Sequence, residues 1–172
     1  MKFRSESVIA HPRAAVFSAF RDQLPDIASY LDDISEIRVV SRSEADGVVT
    51  LHNEWASNSE IPAVARSFIK PENLRWDDHA IWDASAWQCR YDIKTRAFVD
   101  AVTCVGTNTF VDEGETTRVV LEGEFTINVK KLGIPSFIAG RVAPQIESFI
   151  IGMVKPNLEK TNAAVGRFLD AQ

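Results

Sequence analysis

Residues 136–171 read SFIAGRVAPQIESFIIGMVKPNLEKTNAAVGRFLDA, and this stretch determines the architecture of the chain. Its apolar residues recur every three to four positions, which is the spacing of one side of an α-helix. These positions are Ile138, Val142, Ile146, Phe149, Ile150, Met153, Val154, Leu158, Val165, Phe168 and Leu169. Pro144 and Pro156 interrupt the stretch, and a proline inside a helix removes a backbone hydrogen bond. We therefore predict one long, bent helix, or two helices in line.

The residues before this helix change to the two-residue period of β-strands between positions 34 and 129. In the strand predicted at 48–56, Val49, Leu51, Asn53 and Trp55 form one face and Thr50, His52 and Glu54 form the other. Such alternation indicates an antiparallel sheet with one buried and one solvated face. We count six or seven such strands, which predicts a meander. Residues 58–73 fit neither period, and we predict a loop with strand character there.

The N-terminal part supplies a first strand and two short helices. Residues 3–10 alternate loosely, and Pro12 then opens a helix that runs to residue 22. Pro25 opens a second, shorter helix. One long apolar helix and one sheet with a single apolar face must bury each other. The sequence therefore predicts an α+β fold, with a curved antiparallel sheet of six to seven strands wrapped around the C-terminal helix, as a single domain over residues 1–172.

Two local stretches resemble a known superfamily. One is Ala10-His11-Pro12 at the entry to the first helix, and the other is LPDIASYL at residues 24–31, followed by IRVV at 37–40. With the element order, they resemble the helix-grip fold of the START/polyketide-cyclase/birch-pollen-allergen superfamily, often called SRPBCC. The second stretch looks like its coenzyme Q-binding and polyketide-cyclase branch. The resemblance covers the whole chain and implies a cavity between helix and sheet for lipids, sterols, hormones or polyketides.

The composition of the chain limits the kinds of binding partner and the location that we expect for it. The net charge is −5, and the basic residues are spread out, with Lys130-Lys131 as their only adjacent pair. A phosphate backbone needs a basic patch, so we expect no nucleic acid partner. No charged-then-apolar leader opens the sequence, and no run approaches the 18 or so apolar residues of a membrane span. With only two cysteines, Cys89 and Cys104, we predict a cytoplasmic protein without a transmembrane segment.

We predict a ligand site on the apolar face of the strands and on the final helix. The polar members are residues on strand faces that otherwise look buried, and the aromatic ones cover large areas. The predicted ligand-binding residues are Asn53, Trp55, Trp76, Tyr91, Cys104, Asn108, Phe125, Ile146, Phe149, Ile150 and Met153. Gly152 and Pro156 would let the helix flex as a lid. Plain core packing is the alternative explanation for each of these side chains.

Other reactive residues have simpler explanations. His11 lies at a helix start, and His52 and His79 fall on the polar faces of their strands with Glu54 and Asp77. We find no third or fourth ligand at metal-site spacing, so we predict no metal, no cofactor and no catalytic residue. Cys89 and Cys104 are symmetric about residues 96–97, so a turn there would place the two thiols opposite each other.

We therefore predict binding or transport of a small hydrophobic molecule, such as a lipid, an isoprenoid or a polyketide-like compound, without catalysis. The alternative is an enzyme of the polyketide cyclase/aromatase type, in which Tyr91, Asn53 or Asn108 would orient a polyketone and stabilise an enolate. A third interpretation turns the long helix toward a partner protein. A homodimer is also compatible with the sequence. The superfamily includes cyclases and hydrolases, so the fold alone leaves these functions open.

Overall fold

The computed structural model describes all residues from 1 to 172. Its strands are β1 (Lys2–Ile9), β2 (Ile34–Ala45), β3 (Val48–Ser57), β4 (Arg75–Asp83), β5 (Gln88–Thr95), β6 (Val102–Asp112) and β7 (Thr117–Ile127). Its α-helices are α1 (Arg13–Asp22), α2 (Leu24–Ile27) and α3 (Ser136–Asp170), and short 3₁₀ turns lie at Ala28–Tyr30, Pro71–Asn73 and Val129–Lys131.

The seven strands form one antiparallel sheet in the order β1-β7-β6-β5-β4-β3-β2. Strands β2 to β7 are consecutive neighbours, so they form a meander, and β1 returns to pair with β7. The helix α3 contacts β1 and β7 of the sheet and also α1 and α2. The predicted α+β architecture, an antiparallel sheet gripping a long C-terminal helix with two short helices after the first strand, is confirmed.

The sheet and the helices share one apolar core of 41 buried residues, so neither layer is packed independently of the other. In β3 the predicted inner face is buried, since Val49, Leu51, Asn53 and Trp55 are each at most 5% exposed. The outer face is less simple. Glu54, which the alternation placed in solvent, is only 3% exposed, because the guanidinium groups of Arg38, Arg75 and Arg96 cover its carboxylate.

Helix α3 is continuous through both of its prolines. Each proline stands four residues after a glycine, in the pairs Gly140–Pro144 and Gly152–Pro156. Since proline has no N–H, the carbonyls of these two glycines lack their normal helical donor. The structure therefore has one helix rather than two in line, with two weak points twelve residues apart.

The two parts of α3 are held differently. Near its C-terminus, His11 Nε2 lies 2.7 Å from Asp170 Oδ1, Arg167 donates to the Tyr30 carbonyl, and Lys160 pairs with Asp33. The side-chain hydrogen bonds and ion pairs of residues 136–155 stay within the helix itself. Hydrogen bonds and ion pairs therefore anchor the C-terminal part to the rest of the fold, whereas the N-terminal part is held by apolar packing and by the Lys155 ammonium over the Phe3 ring at 5.9 Å.

The connections between strands differ from the predictions at residues 58–73 and at the turn expected around residues 96–97. Residues 58–73 contain turns and one 3₁₀ turn but no strand, and Ile61, Ala65 and Ile69 pin this loop to the core. Strand β6 begins at Val102, because residues 98–101 form a turn in which Phe98 has a φ of 66°.

The position of this turn changes the register of the β5–β6 hairpin. Cys104 is opposite Ile93, and Cys89 is opposite Asn108. The prediction that the two thiols face each other is therefore wrong, because the centre of the hairpin lies two residues later than expected. Both cysteines are buried and free.

By length and composition, α3 is a helix that could cross a membrane, although the sequence had suggested no such run. This is weak evidence, since the core helix of a soluble protein passes the same test. Phe137, in its first turn, is 87% exposed.

Candidate functional site

A cavity with two lobes lies between the inner face of the sheet and α3. The first lobe offers about 40 Å³ to the centres of water molecules, and the second about 20 Å³. Trp55, Asp78 and Leu158 line both lobes, so these three residues form the wall between them. On this measure one water needs about 10–15 Å³. The cavity as it stands therefore accepts a few water-sized groups, and a larger ligand requires α3 to move.

Aromatic side chains form most of the walls. The rings of Trp55 and Trp76 stack at 5.6 Å, with 17° between their planes. Trp82 and Tyr91 continue the wall along β4 and β5, while Phe20 in α1 closes the first lobe from the side. Aromatic side chains offer a large contact area to an apolar ligand, and the rings themselves have few rotatable bonds.

Asp78 is the one carboxylate in this aromatic surface. It lies on β4 directly opposite Asn53 of β3, and Asn53 donates from Nδ2 to Asp78 Oδ2 at 3.3 Å. The other carboxylate oxygen, Oδ1, has no hydrogen-bond partner. Burial raises the pKa of Asp78 to about 6, although two groups act in the opposite direction: the Asn53 amide and the nearby Trp55 indole N–H, whose geometry falls short of a hydrogen bond. This group is therefore able to take up and release a proton close to neutral pH.

Several other polar atoms around the cavity also lack a partner. They are Nε1 of Trp55 and Trp82 and Oδ1 of Asn53, Asn108 and Asn157. Nearly all buried polar atoms in folded proteins make at least one hydrogen bond. Six such atoms around one cavity, with Asp78 Oδ1 included, therefore indicate a surface suited to a polar group or to water.

Tyr91 contributes its ring to the cavity but not its hydroxyl. The hydroxyl donates to the carbonyl of Glu122 at 3.1 Å, across β6. The ring passes over Gly106 and Gly123, where a Cβ would collide with the Tyr91 hydroxyl. Burial raises the pKa of this phenol far above its usual value. The Tyr91 side chain is therefore an uncharged part of the cavity wall. Its position is fixed by close packing over Gly106 and Gly123 and by the hydrogen bond to the Glu122 carbonyl.

The structure brings together five of the eleven predicted ligand-binding residues. Trp55, Trp76, Tyr91 and Asn108 line the cavity, and Asn53 holds the carboxylate of Asp78. The other six, Cys104, Phe125, Ile146, Phe149, Ile150 and Met153, pack in or against the core without lining either lobe. On α3 the cavity lies under Asn157, Leu158 and Thr161, further toward the C-terminus than the predicted residues.

Sequence reasoning missed Asp78 and the α3 residues at 157–161. The signal for Asp78 was available, because Trp76, Asp78, Ala80 and Trp82 are spaced by two residues on one strand face. The signal on α3 was weaker. Asn157 and Thr161 are polar, yet their side chains hydrogen bond to backbone carbonyls of the helix, from Asn157 Nδ2 to Met153 at 2.8 Å and from Thr161 Oγ1 to Asn157 at 2.6 Å.

His52 and His79 lie on the outer face of the sheet, away from the cavity. His52 Nε2 is 2.7 Å from Asp77 Oδ1, and its ring stacks on that of His79 at 4.4 Å. Arg96 reaches the same Asp77 carboxylate and also Glu54. These side chains form a polar network over the outside of β3 and β4 and do not reach the cavity.

The fold matches solved structures of low sequence identity over nearly its full length. The protein TTHA0849 from Thermus thermophilus is 21% identical, with 99% of this chain and 98% of that chain covered and a TM-score of 0.69. The Zhui aromatase/cyclase from Streptomyces sp. R1128 is 14% identical, with coverages of 99% and 93% and a TM-score of 0.68. Norcoclaurine synthase from Thalictrum flavum is 12% identical, with coverages of 100% and 87% and a TM-score of 0.57.

These neighbours belong to the SRPBCC helix-grip superfamily, so the resemblance drawn from the sequence is confirmed at the level of the fold. No curated protein matches this sequence. One family model, described as "Protein of unknown function (DUF2505)", matches residues 5–169. That match spans almost the whole chain, and the protein therefore belongs to the DUF2505 family.

Proposed function

We propose that this protein binds a small, largely apolar molecule between its sheet and α3, and carries or sequesters it. The observation that supports this most is the aromatic cavity itself, which combines apolar walls with five unpartnered polar atoms on its lining residues and a sixth on Asn53, next to Asp78. Ligand sites in proteins have this composition, with mostly apolar walls and a few placed polar groups. Lipid, isoprenoid and polyketide-like compounds remain the ligand classes that the proposal covers.

Movement of the N-terminal part of α3 provides the route into the cavity. Residues 136–155 make no side-chain hydrogen bond or ion pair with the rest of the fold, and Pro156 lies directly before the cavity-lining residues Asn157 and Leu158. The anchored end at 160–170 stays in place through Asp33, Tyr30 and His11. Opening at Pro156 would leave Asn157, Leu158 and Thr161 over the present cavity and uncover the sheet beside them, so that the cavity could extend under residues 136–155.

The structural neighbours are consistent with this function. Among them are an aromatase/cyclase and a norcoclaurine synthase that was solved with dopamine and hydroxybenzaldehyde. Identities of 12–14% carry the fold and not the ligand. The location in the cytoplasm, the absence of nucleic acid partners and the homodimer stay predictions from the sequence.

Native mass spectrometry of freshly purified protein, followed by denaturing extraction, tests the proposal. We expect a stoichiometric small apolar species on the wild type and its loss in Leu158→Trp, whose indole would fill both lobes. The matched control is Ile151→Trp, because Ile151 is a half-buried residue of α3 that lines neither lobe. A clean apo mass for the wild type, together with no uptake of added apolar compounds, would contradict the proposal.

A second candidate function is an enzyme of the cyclase/aromatase type, and Asp78 is the observation that favours it. A carboxylate with a pKa near 6 is suited to remove a proton from the carbon next to a ketone at neutral pH. Asn108 lines the same cavity, where the NH₂ of its amide could donate a hydrogen bond to the developing enolate. The test is deuterium exchange at the α-carbon of 1-tetralone in D₂O, followed by NMR. Catalysed exchange that Asp78→Asn abolishes would support the enzyme, and exchange at the uncatalysed rate would exclude it for this ketone.

A further inference from the structure

We propose that Asp78 and Asn53 form an anchor for a hydroxyl group, so that the ligand is an uncharged apolar molecule with at least one alcohol, phenol or enol O–H. This inference rests on the proposed binding function and specifies which chemical class the cavity selects. Asp78 belongs to the wall between the two lobes, so its carboxylate is within reach of a ligand in either lobe.

The hydrogen-bond geometry of Asp78 favours a donor on the ligand. Its Oδ2 accepts from Asn53, whereas Oδ1 is buried without a partner. A carboxylate oxygen has only acceptor sites, so the group that satisfies Oδ1 must bring an N–H or an O–H. Asn53 is itself only 1% exposed and holds the carboxylate from the neighbouring strand, which keeps Oδ1 in place.

The charge of the lining excludes an acidic ligand. No lysine, arginine or histidine lines either lobe. A fatty acid or a phosphate ester would place its negative charge beside Asp78 with no cation to compensate it, which is strongly unfavourable in a buried site. An ammonium group could also donate to Asp78, but its burial costs the hydration of a full charge, and the attraction of one carboxylate often does not repay that cost. A neutral hydroxyl group avoids both problems, because it can donate a hydrogen bond to Asp78 Oδ1 and brings no charge into the cavity.

Asp78 is also the group in this region that changes its charge near neutral pH. The other titratable groups on the inner face are Cys89, Cys104 and Tyr91, and burial raises the pKa of each away from neutrality. From α3 the facing residues are Asn157, Leu158 and Thr161, and from α1 and α2 they are Phe20 and Leu24. None of these is charged. His52 and Asp92 act on Asp78 only from the outer face of the sheet.

Binding of two matched probes tests the anchor. 2-Naphthol and 2-methoxynaphthalene have the same ring system, and only the first can donate a hydrogen bond. We expect the wild type at pH 7.5 to bind 2-naphthol about tenfold more tightly, which is typical of a hydrogen bond to a charged group. The preference should shrink severalfold at pH 5, where Asp78 is protonated. It should fall to about twofold in Asp78→Asn and vanish in Asp78→Leu, which keeps the volume without an acceptor.

The control variant is Asp92→Asn, the same chemical change on the outer face of the neighbouring strand, and it should keep the tenfold preference. Equal binding of both probes to the wild type would overturn the anchor and leave the proposed apolar binding intact. A preference that survives in Asp78→Leu would also overturn it. If neither probe binds, the proposed function fails in this cavity and the anchor fails with it.

Discussion

Asn53 and Asp78 face each other across β3 and β4, and the amide of Asn53 donates a hydrogen bond of 3.3 Å to the carboxylate. The next pair along the same ladder, Glu54 and Asp77, points to the opposite face. Burial raises the pKa of Asp78, whereas the guanidinium groups around Glu54 and Asp77 hold both of their pKa values below the usual range despite some burial. One step along the strands therefore separates a proton-binding carboxyl from two that stay ionised.

The raised pKa of Asp78 predicts how the stability depends on pH. Between about pH 4 and pH 6 the folded state binds more protons than the unfolded state, so the free energy of unfolding falls as the pH rises through this window. With a pKa near 6 against a usual 3.8, the loss is about 2–3 kcal/mol. We expect Asp78→Asn to be more stable than the wild type by about this amount at pH 7.5 and equal to it near pH 3.5, as measured by urea unfolding.

Asp92→Asn is the control for this experiment, because Asp92 lies on the outer face and its loss should change the free energy of unfolding by less than about 0.5 kcal/mol. If Asp78→Asn and the wild type kept the same difference at all pH values, the carboxyl would not titrate in this window.

The fold could be predicted from the sequence because the residue patterns that indicate it extend over many positions. A helix of 35 residues and a run of alternating strands each repeat their pattern many times, so single errors do not change the architecture. Asp78 follows the same alternation as Trp76 and Ala80, and its position inside was implied by the period although its residue type suggests solvent. The burial of Glu54 was not implied, since the three arginines that cover it come from β2, from β4 and from the residue after β5.

The contact between Tyr91 and Gly106 predicts a strong effect of one methyl group. A Cβ at Gly106 would overlap the Tyr91 hydroxyl and the Glu122 carbonyl, and that carbonyl belongs to the backbone of the neighbouring strand β7. We expect Gly106→Ala to lower the free energy of unfolding by more than about 2 kcal/mol. Gly140→Ala is the matched control, because nothing lies within 4 Å of its Cβ and alanine favours a helix by about 0.5–1 kcal/mol. Equal thermal stability of the two variants would contradict this account.

Glu54 predicts a pH dependence of the opposite sign. Its desolvation opposes ionisation, but Arg38, Arg96 and Arg75 together hold its pKa below the usual 4.5. Its contribution to stability is therefore present above about pH 4.5 and is lost as the pH falls through the lower pKa of the folded state. We expect Glu54→Gln to cost about 1–2 kcal/mol at pH 7 and little below about pH 3.5, by urea unfolding. Glu124→Gln, on an exposed residue of β7, should cost nothing measurable at either pH.

The position of the cavity along α3 could not be read from its apolar stripe. Ile146, Ile150 and Met153 are as apolar and as regularly spaced as a lining would be, yet they are fully packed in the core. The cavity instead lies beneath Asn157 and Leu158, where the side chains facing the sheet fit it less closely. Which turn of a helix packs tightly depends on the volumes of side chains from β3, β4 and α1, and no periodicity within α3 contains that information.

The weak point at Pro156 predicts where α3 opens. Alanine at this position would supply an N–H to the free carbonyl of Gly152 and remove the clash of the proline ring with that turn. We expect Pro156→Ala to slow hydrogen exchange of the amides in residues 136–155 by about tenfold and to slow the uptake of 2-naphthol by a similar factor, with little change in its equilibrium affinity. Exchange at residues 160–170 should stay the same, since His11, Tyr30 and Asp33 already hold that end. Uptake at the wild-type rate, with exchange slowed as expected, would mean that the ligand enters by another route, such as the side of the cavity that Phe20 and Leu24 close.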